Sequence, residues 1–327
     1  ENEFNRLKTE HLNSILQEKA EPFGVALRVI PKILYGSGHP YGNPLTGSGY
    51  EATVETITLG DVTNFYNTWF KPNNATLVIV GDVEMNSLIS SLETKLAGWK
   101  KGSVPKNEIA QLKSTTGKKI YLIDRPESTQ SVVMAGYLIT PYGQVFQPAL
   151  TALNNLFGGE FISRLNMNIR EDKHWSYGAG SFVWDTKGQR PFVAFAPVQM
   201  DKTKETIQEF QKELASIISD KPVTADEFTR VQKNMLLQLP GMWETNSSVA
   251  GSLNEKVVFN LSDDYFKTYD VKVRNLTRDE IQQVGNQIIK PEQVIYFVVG
   301  DKTKILSSLK ETGYEIIEVD ADGNLVK

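Results

Sequence analysis

Two side chains in the segment Gly158–Gly180 (GGEFISRLNMNIREDKHWSYGAG) have types suited to acyl-transfer chemistry. Arg170 carries a guanidinium that stays charged throughout the working pH range. Tyr177, seven residues later, offers a neutral phenol donor. If the two converge, they can bind a peptide carbonyl and stabilise the oxyanion that grows on it during hydrolysis. A plainer reading stands beside this one. Arg170 could cap a helix C-terminus, and Tyr177 could be a half-buried residue opening a strand. On spacing alone the base rates of exposed Arg and strand Tyr favour the plainer reading.

Few other residues could do chemistry. The chain has no cysteine, which excludes disulfides, thiol catalysis and Cys-ligated metal. Its three histidines, His11, His39 and His174, lie far apart, and none stands in an HxxH, HExxH or HxxEH arrangement. A catalytic zinc needs about three close protein ligands, so no metal is expected on this chain. Glu10, seven residues after Glu3 on an expected helix, reads as part of a solvated helix face. His39 sits in Gly-His-Pro-Tyr-Gly, where Pro40 and Gly42 favour a fixed turn. His174 falls between Arg170 and Tyr177 and reads as a solvent-facing turn residue. Gly158-Gly159 has no GxGxxG or Walker companion and reads as a tight inter-helix turn.

The elements that must position these residues follow from pattern and composition. With 327 residues, 40% hydrophobic and 23% charged, the chain suits about two globular domains. A net charge of −4 gives no argument for nucleic acid or an anionic membrane as partner. No apolar run is long enough for a transmembrane helix. No signal peptide is visible, and the chain does not begin with Met. Thr58–Asp82 aligns without a gap to Thr277–Asp301, each with Lys-Pro followed by an apolar run ending in Val-Gly-Asp. Upstream, Glu3-Phe4-Asn5-Arg6 echoes Glu227-Phe228-Thr229-Arg230. A repeat of this size indicates a duplicated domain.

The fold class read from this is α+β, with two homologous domains of mixed or antiparallel sheet packed with helices on one side. Residues 1–100 are expected to be a first domain lacking its opening strands, 101–116 a linker, and 117–327 a complete second domain. In the first, helices are expected over 1–20, 23–35, 59–70 and 85–96, and a buried strand over 75–80. In the second, strands are expected over 119–123, 131–139, 177–184, 191–197, 294–299 and 315–319. Helices are expected over 148–156, 161–170 and 203–218, and the DTKGQR segment at 185–190 reads as a hairpin turn. A first sheet left incomplete could favour self-association.

The phrases Leu34–Gly47 (LYGSGHPYGNPLTG), Pro72–Asp82 (PNNATLVIVGD), Gly158–Leu165 (GGEFISRL), Arg170–Tyr177, Leu239–Asn246 (LPGMWETN) and Pro291–Asp301 run through nearly the whole chain. In this order they resemble the pitrilysin/insulinase family of inverted zinc metallopeptidases, whose catalytic signature is HxxEH. The resemblance is to the zinc-motif-free half of bacterial two-half members. It implies that Arg170 and Tyr177 are catalytic residues reaching into the zinc-bearing half, which is a partner fused or separate. It implies zinc held by that half, a peptide substrate, and a periplasmic location. It also implies that HPYG is a structural loop. The alternative is a peptidase-fold scaffold or assembly subunit without catalysis.

Overall fold

A computed structural model of the chain describes residues 1–113 and 117–326. Six strands form one mixed sheet: β1 Lys119–Asp124, β2 Gln130–Ile139, β3 Gly180–Val183, β4 Arg190–Gln199, β5 Ile295–Gly300 and β6 Glu315–Glu318, in the order β3-β4-β2-β5-β1-β6. β1 runs parallel to both β5 and β6, while β2 is antiparallel to β4 and β5. The expected turn joins β3 and β4 as an antiparallel hairpin.

Alternation along the central strands divides their side chains between two cores, as the period of two requires. Val133, Ala135 and Tyr137 of β2 and Tyr296 and Val298 of β5 enter one core, with Leu153, Phe157, Phe210 and Ile281 from the helices. Met134 of β2 and Phe297 of β5 enter the other, against Val25, Val29, Ile30 and Leu34 of the helix Pro22–Tyr35. The sheet is therefore covered on both faces, not on one as the sequence suggested. This helix covers the far face because its apolar residues have no other sheet to pack on among the described residues.

That helix is tied down by a buried cation. Arg28 is fully buried and donates to Glu18 Oε2 at 2.7 Å, Ser48 Oγ at 2.8 Å, Gly49 O at 2.8 Å and Asp322 Oδ1 at 2.8 Å. Burial works against ionisation of Glu18, but its bonds from Ser48 and Arg28 prevail and hold its carboxyl below the usual range. Removing either carboxylate would leave the buried guanidinium with one acidic partner and should destabilise the fold. The network thus fastens the helix Pro22–Tyr35 and its neighbouring segments to the end of the chain.

The two repeats share their local structure. Helices Leu59–Trp69 and Arg278–Ile288 each begin with a Thr capping box, Thr58 with Asp61 and Thr277 with Glu280. Each is followed by a single 3₁₀ turn, Pro72–Asn74 or Pro291–Gln293. There the likeness ends. Residues 75–80 carry no strand and pair with none among the described residues, and most are exposed, which corrects the expected buried strand. Leu77 is 62% exposed, whereas its counterpart Tyr296 is fully buried in β5. Val62 and Phe65 are exposed where Ile281 and Val284 are buried. The sequence pattern is the same; the difference is that 75–80 has no neighbouring strand among the described residues, without which a strand has no ladder to join.

Two further boundaries shift. The helix expected over 161–170 is a short turn at Arg164–Asn166 followed by a π-helical segment, Met167–Asp172. The strand expected from Tyr177 begins only at Gly180. Of the expected linker, 114–116 lies outside the described residues, and 101–113 has no regular element.

Candidate functional site

The segment carrying Arg170 and Tyr177 is built on a close approach. A π-helical turn, Asn155–Gly159, brings Gly158 against the start of β3. A Cβ on Gly158 would stand 2.5 Å from Ser181 N and 2.8 Å from Gly180 C. Gly is therefore required for packing, not for a nucleotide. The following residues turn back across the end of the sheet, and Arg164 is held there by Glu227. Its Nε lies 2.7 Å from Glu227 Oε1 and its Nη2 2.7 Å from Oε2, a bidentate pair. Burial alone would raise the Glu227 carboxyl, but the bonds from Arg164 and the Thr224 capping group hold it below the usual carboxylate range.

The second π-helical segment then places Arg170, whose Nε lies 3.4 Å from Glu171 Oε1. Two residues past the end of this segment, His174 adopts φ +58°, a left-handed conformation uncommon outside glycine. Its backbone N–H donates to Arg170 O at 3.1 Å. Trp175 N donates to Ile169 O at 3.1 Å, and Gln199 N at the end of β4 donates to Trp175 O at 3.0 Å. Ser176 Oγ accepts from Gly178 N at 3.0 Å and donates to Pro197 O. These bonds fix the loop on both sides of Tyr177. Tyr177 itself is 90% exposed and makes no hydrogen bond among the described residues.

Arg170 and Tyr177 line the same cavity of about 390 Å³, with Gln130, Glu171, His174, Trp175, Ser176 and Gln199. The structure thus brings the two residues to one opening. Its other donors, Gln130 and Gln199, were missed by sequence reasoning. They stand at the adjacent ends of antiparallel β2 and β4, where they are paired in register, a juxtaposition with no local sequence signal. A larger cavity, about 820 Å³, lies between Arg164, Glu209, Glu213 and Arg278. Its charges are largely committed to one another, as in Arg164–Glu227 and Lys173–Glu209, so no group converges on a reacting centre.

The remaining sequence candidates do not join the site. Glu10 is exposed and pairs with Arg6, and its repeat counterpart Asn234 donates to Glu160 Oε2 at 3.0 Å. His39 is buried, with both ring nitrogens engaged: Tyr41 N donates to Nδ1 at 3.1 Å, and Nε2 contacts Ala110 O at 3.1 Å. It stacks on Tyr35 at 5.0 Å, as a structural loop residue would. His11 Nε2 lies 2.8 Å from Ser48 O.

The model for the peptidase M16 inactive domain matches residues 56–235, more than half of the chain. The chain belongs to the peptidase M16 family. The resemblance to pitrilysin and insulinase is thereby borne out. Zinc protease PqqE of Helicobacter pylori is 23% identical over 262 residues, covering 78% of this chain and 57% of that protein. A zinc protease of Rickettsia felis is 23% identical over 273 residues, covering 83% of this chain and 60% of that protein. The chain thus spans about 57–60% of the length of these curated relatives. The solved peptidase M16 inactive domain from Pseudomonas fluorescens superposes with a TM-score of 0.82 at 20% identity, covering 92% of this chain and 70% of that one.

Zinc is the metal these relatives' names imply, and the described residues do not fit it. No group of three or more His, Cys, Asp or Glu side chains that could hold a metal exists among the described residues. Glu10 and His39, the nearest sequence candidates, are committed to Arg6 and to backbone groups. No helix among the described residues is long and apolar enough to cross a membrane.

Proposed function

We propose that this chain is the zinc-motif-free part of a zinc metalloendopeptidase, and that it supplies Arg170 and Tyr177 to the active site of a zinc-bearing half. The metal chemistry would belong to that half. This chain would close over an extended peptide, place the guanidinium and the phenol beside the scissile carbonyl, and stabilise its oxyanion. The observation that carries this reading is their shared opening, with Tyr177 exposed and its hydroxyl free of any bond among the described residues. A large aromatic kept in that state on a well-tethered loop is suited to meeting something outside the chain. The proposed location is the periplasm, where a structural relative, the protease PqqL of Escherichia coli, is described as residing.

We further propose that residues 1–100 are the later part of a first domain, residues 101–116 a linker, and residues 117–327 the second domain. In support, 58–74 repeats the structure of 277–293, while 75–80 lacks the neighbours that β5 has. Amide exchange tests this: residues 76–80 should exchange freely in this chain and 295–300 only on global unfolding. Equal protection of both would refute the domain reading.

For the function, the test is reconstitution. Peptide hydrolysis should appear only when this chain is combined with the zinc-bearing half, and Arg170→Lys should abolish most of it, because an ammonium lacks the planar fork. Full activity of Arg170→Lys would favour the scaffold reading, in which the residue types do not matter.

A further inference from the structure

We propose that Phe161 is a positioning residue for Arg170: its ring is the shelf that holds the guanidinium in the orientation the site uses. The proposal rests on the reading of Arg170 given above. The Arg170 guanidinium carbon lies 4.5 Å from the centroid of the Phe161 ring, well inside the range of a cation–π contact. Phe161 is not among the residues that line the cavity. It is 61% exposed, so burial in the core does not account for it.

The shelf is held more firmly than its exposure suggests. Asn166 Nδ2 donates to Phe161 O at 2.8 Å. Ser163 N donates to Glu160 O at 3.1 Å, Arg230 Nη2 to Ile162 O at 2.9 Å, and Asn234 Nδ2 to Glu160 Oε2 at 3.0 Å. Every residue from Glu160 to Ser163 is thus tied by a hydrogen bond. Asn166 also accepts from Ala179 N at 3.0 Å, two residues beyond Tyr177. One buried amide therefore fastens the loop that carries the shelf and the loop that carries the phenol. A half-exposed arginine otherwise samples many rotamers. The ring face and the Glu171 carboxylate together restrict it.

The test uses Phe161→Leu, which keeps apolar volume and loses the π face, and Phe161→Tyr, which keeps both. In this chain alone, the arginine Nε–H resonance that disappears in Arg170→Lys should show a ring-current shift. Phe161→Leu should remove the shift and Phe161→Tyr should retain it. In the enzyme reconstituted with the zinc-bearing half, Phe161→Leu should lower kcat and kcat/KM together by about two- to five-fold, the equilibrium ratio of an exposed cation–π contact. Phe161→Tyr should restore the rate, and Phe161→Leu should have no further effect when Arg170 is already Ala. An unshifted wild-type resonance, or a Phe161→Leu loss that persists at full size in the Arg170→Ala background, overturns the proposal. If instead Arg170→Ala leaves turnover intact, the functional reading fails, while the resonance still decides whether the shelf exists.

Discussion

Gly158→Ala tests whether the loop bearing the site is seated by a close approach of helix to strand. The added Cβ would lie 2.5 Å from both Ser181 N and Ser181 Oγ and 2.8 Å from Gly180 C. The hydroxyl can rotate away, but the two backbone atoms cannot move without disturbing the pairing of Gly180 with Phe195 and Ser181 with Ala194. Overpacking of this kind costs about 1–3 kcal/mol, and rigid backbone neighbours place it near the upper end. Replacing Gly by Ala in a helical turn returns about 1 kcal/mol. The net expectation is a loss of about 2 kcal/mol. For a protein of this size that lowers Tm by about 3 °C. Gly241→Ala is the control, since nothing lies within 4 Å of its Cβ position and its φ is not left-handed. That substitution should be neutral or stabilising, by up to about 1 kcal/mol. Chemical and thermal denaturation of both variants decide the matter. A Gly158→Ala protein as stable as wild type would show that the approach is looser than described and that the loop is seated by something else.

Val298→Ala should cost about 2–3 kcal/mol by lost burial and cavity formation, whereas Ile79→Ala at the equivalent repeat position should change stability by less than about 0.5 kcal/mol; equal losses in urea titrations would contradict the exposed state of residues 75–80. The Glu255 carboxyl is pushed above its ordinary 4.5 by burial and by Asp185, with the bond from Tyr142 opposing. The folded state therefore holds its proton more tightly, and stability should fall as pH rises from about 4.5 through the raised value. Glu255→Gln should flatten that slope in denaturation curves measured from pH 4 to 8; an unchanged slope would remove Glu255 as its source. Metal analysis of the purified chain should find no stoichiometric zinc, and a tightly held zinc lost on Glu10→Ala would overturn that expectation.

Much of the architecture was legible because it rests on local signals. The strands around Ile120, Val133 and Val298 are continuous apolar runs, and their boundaries shift by only a residue or so. The capping boxes at Thr58 and Thr277 are written in residues three apart. What failed depended on partners far away in sequence. Residues 75–80 have the composition of a strand, yet a ladder requires neighbours that composition cannot supply. The helix Pro22–Tyr35 is plainly apolar, but nothing local says that it covers the far face of the six-stranded sheet. At the site, Arg170 and Tyr177 could be named from their types, while Gln130, Gln199 and Phe161 could not. Tyr177 was misplaced onto a strand because the apolar run beginning there is longer than the paired part, which opens only where Gly180 meets Phe195.

The central claim is that the Tyr177 hydroxyl serves chemistry and not the fold. Its exposure of 90% means that Tyr177→Phe should leave the denaturation midpoint of this chain unchanged. In the enzyme reconstituted with the zinc-bearing half, the same substitution should lower kcat by about 10²–10³-fold, the loss expected on removing one oxyanion donor. The most direct measurement is therefore single-turnover peptide hydrolysis by wild type and Tyr177→Phe at equal zinc content. A drop of that size with unaltered stability is the predicted result, and equal turnover would take Tyr177 out of the mechanism.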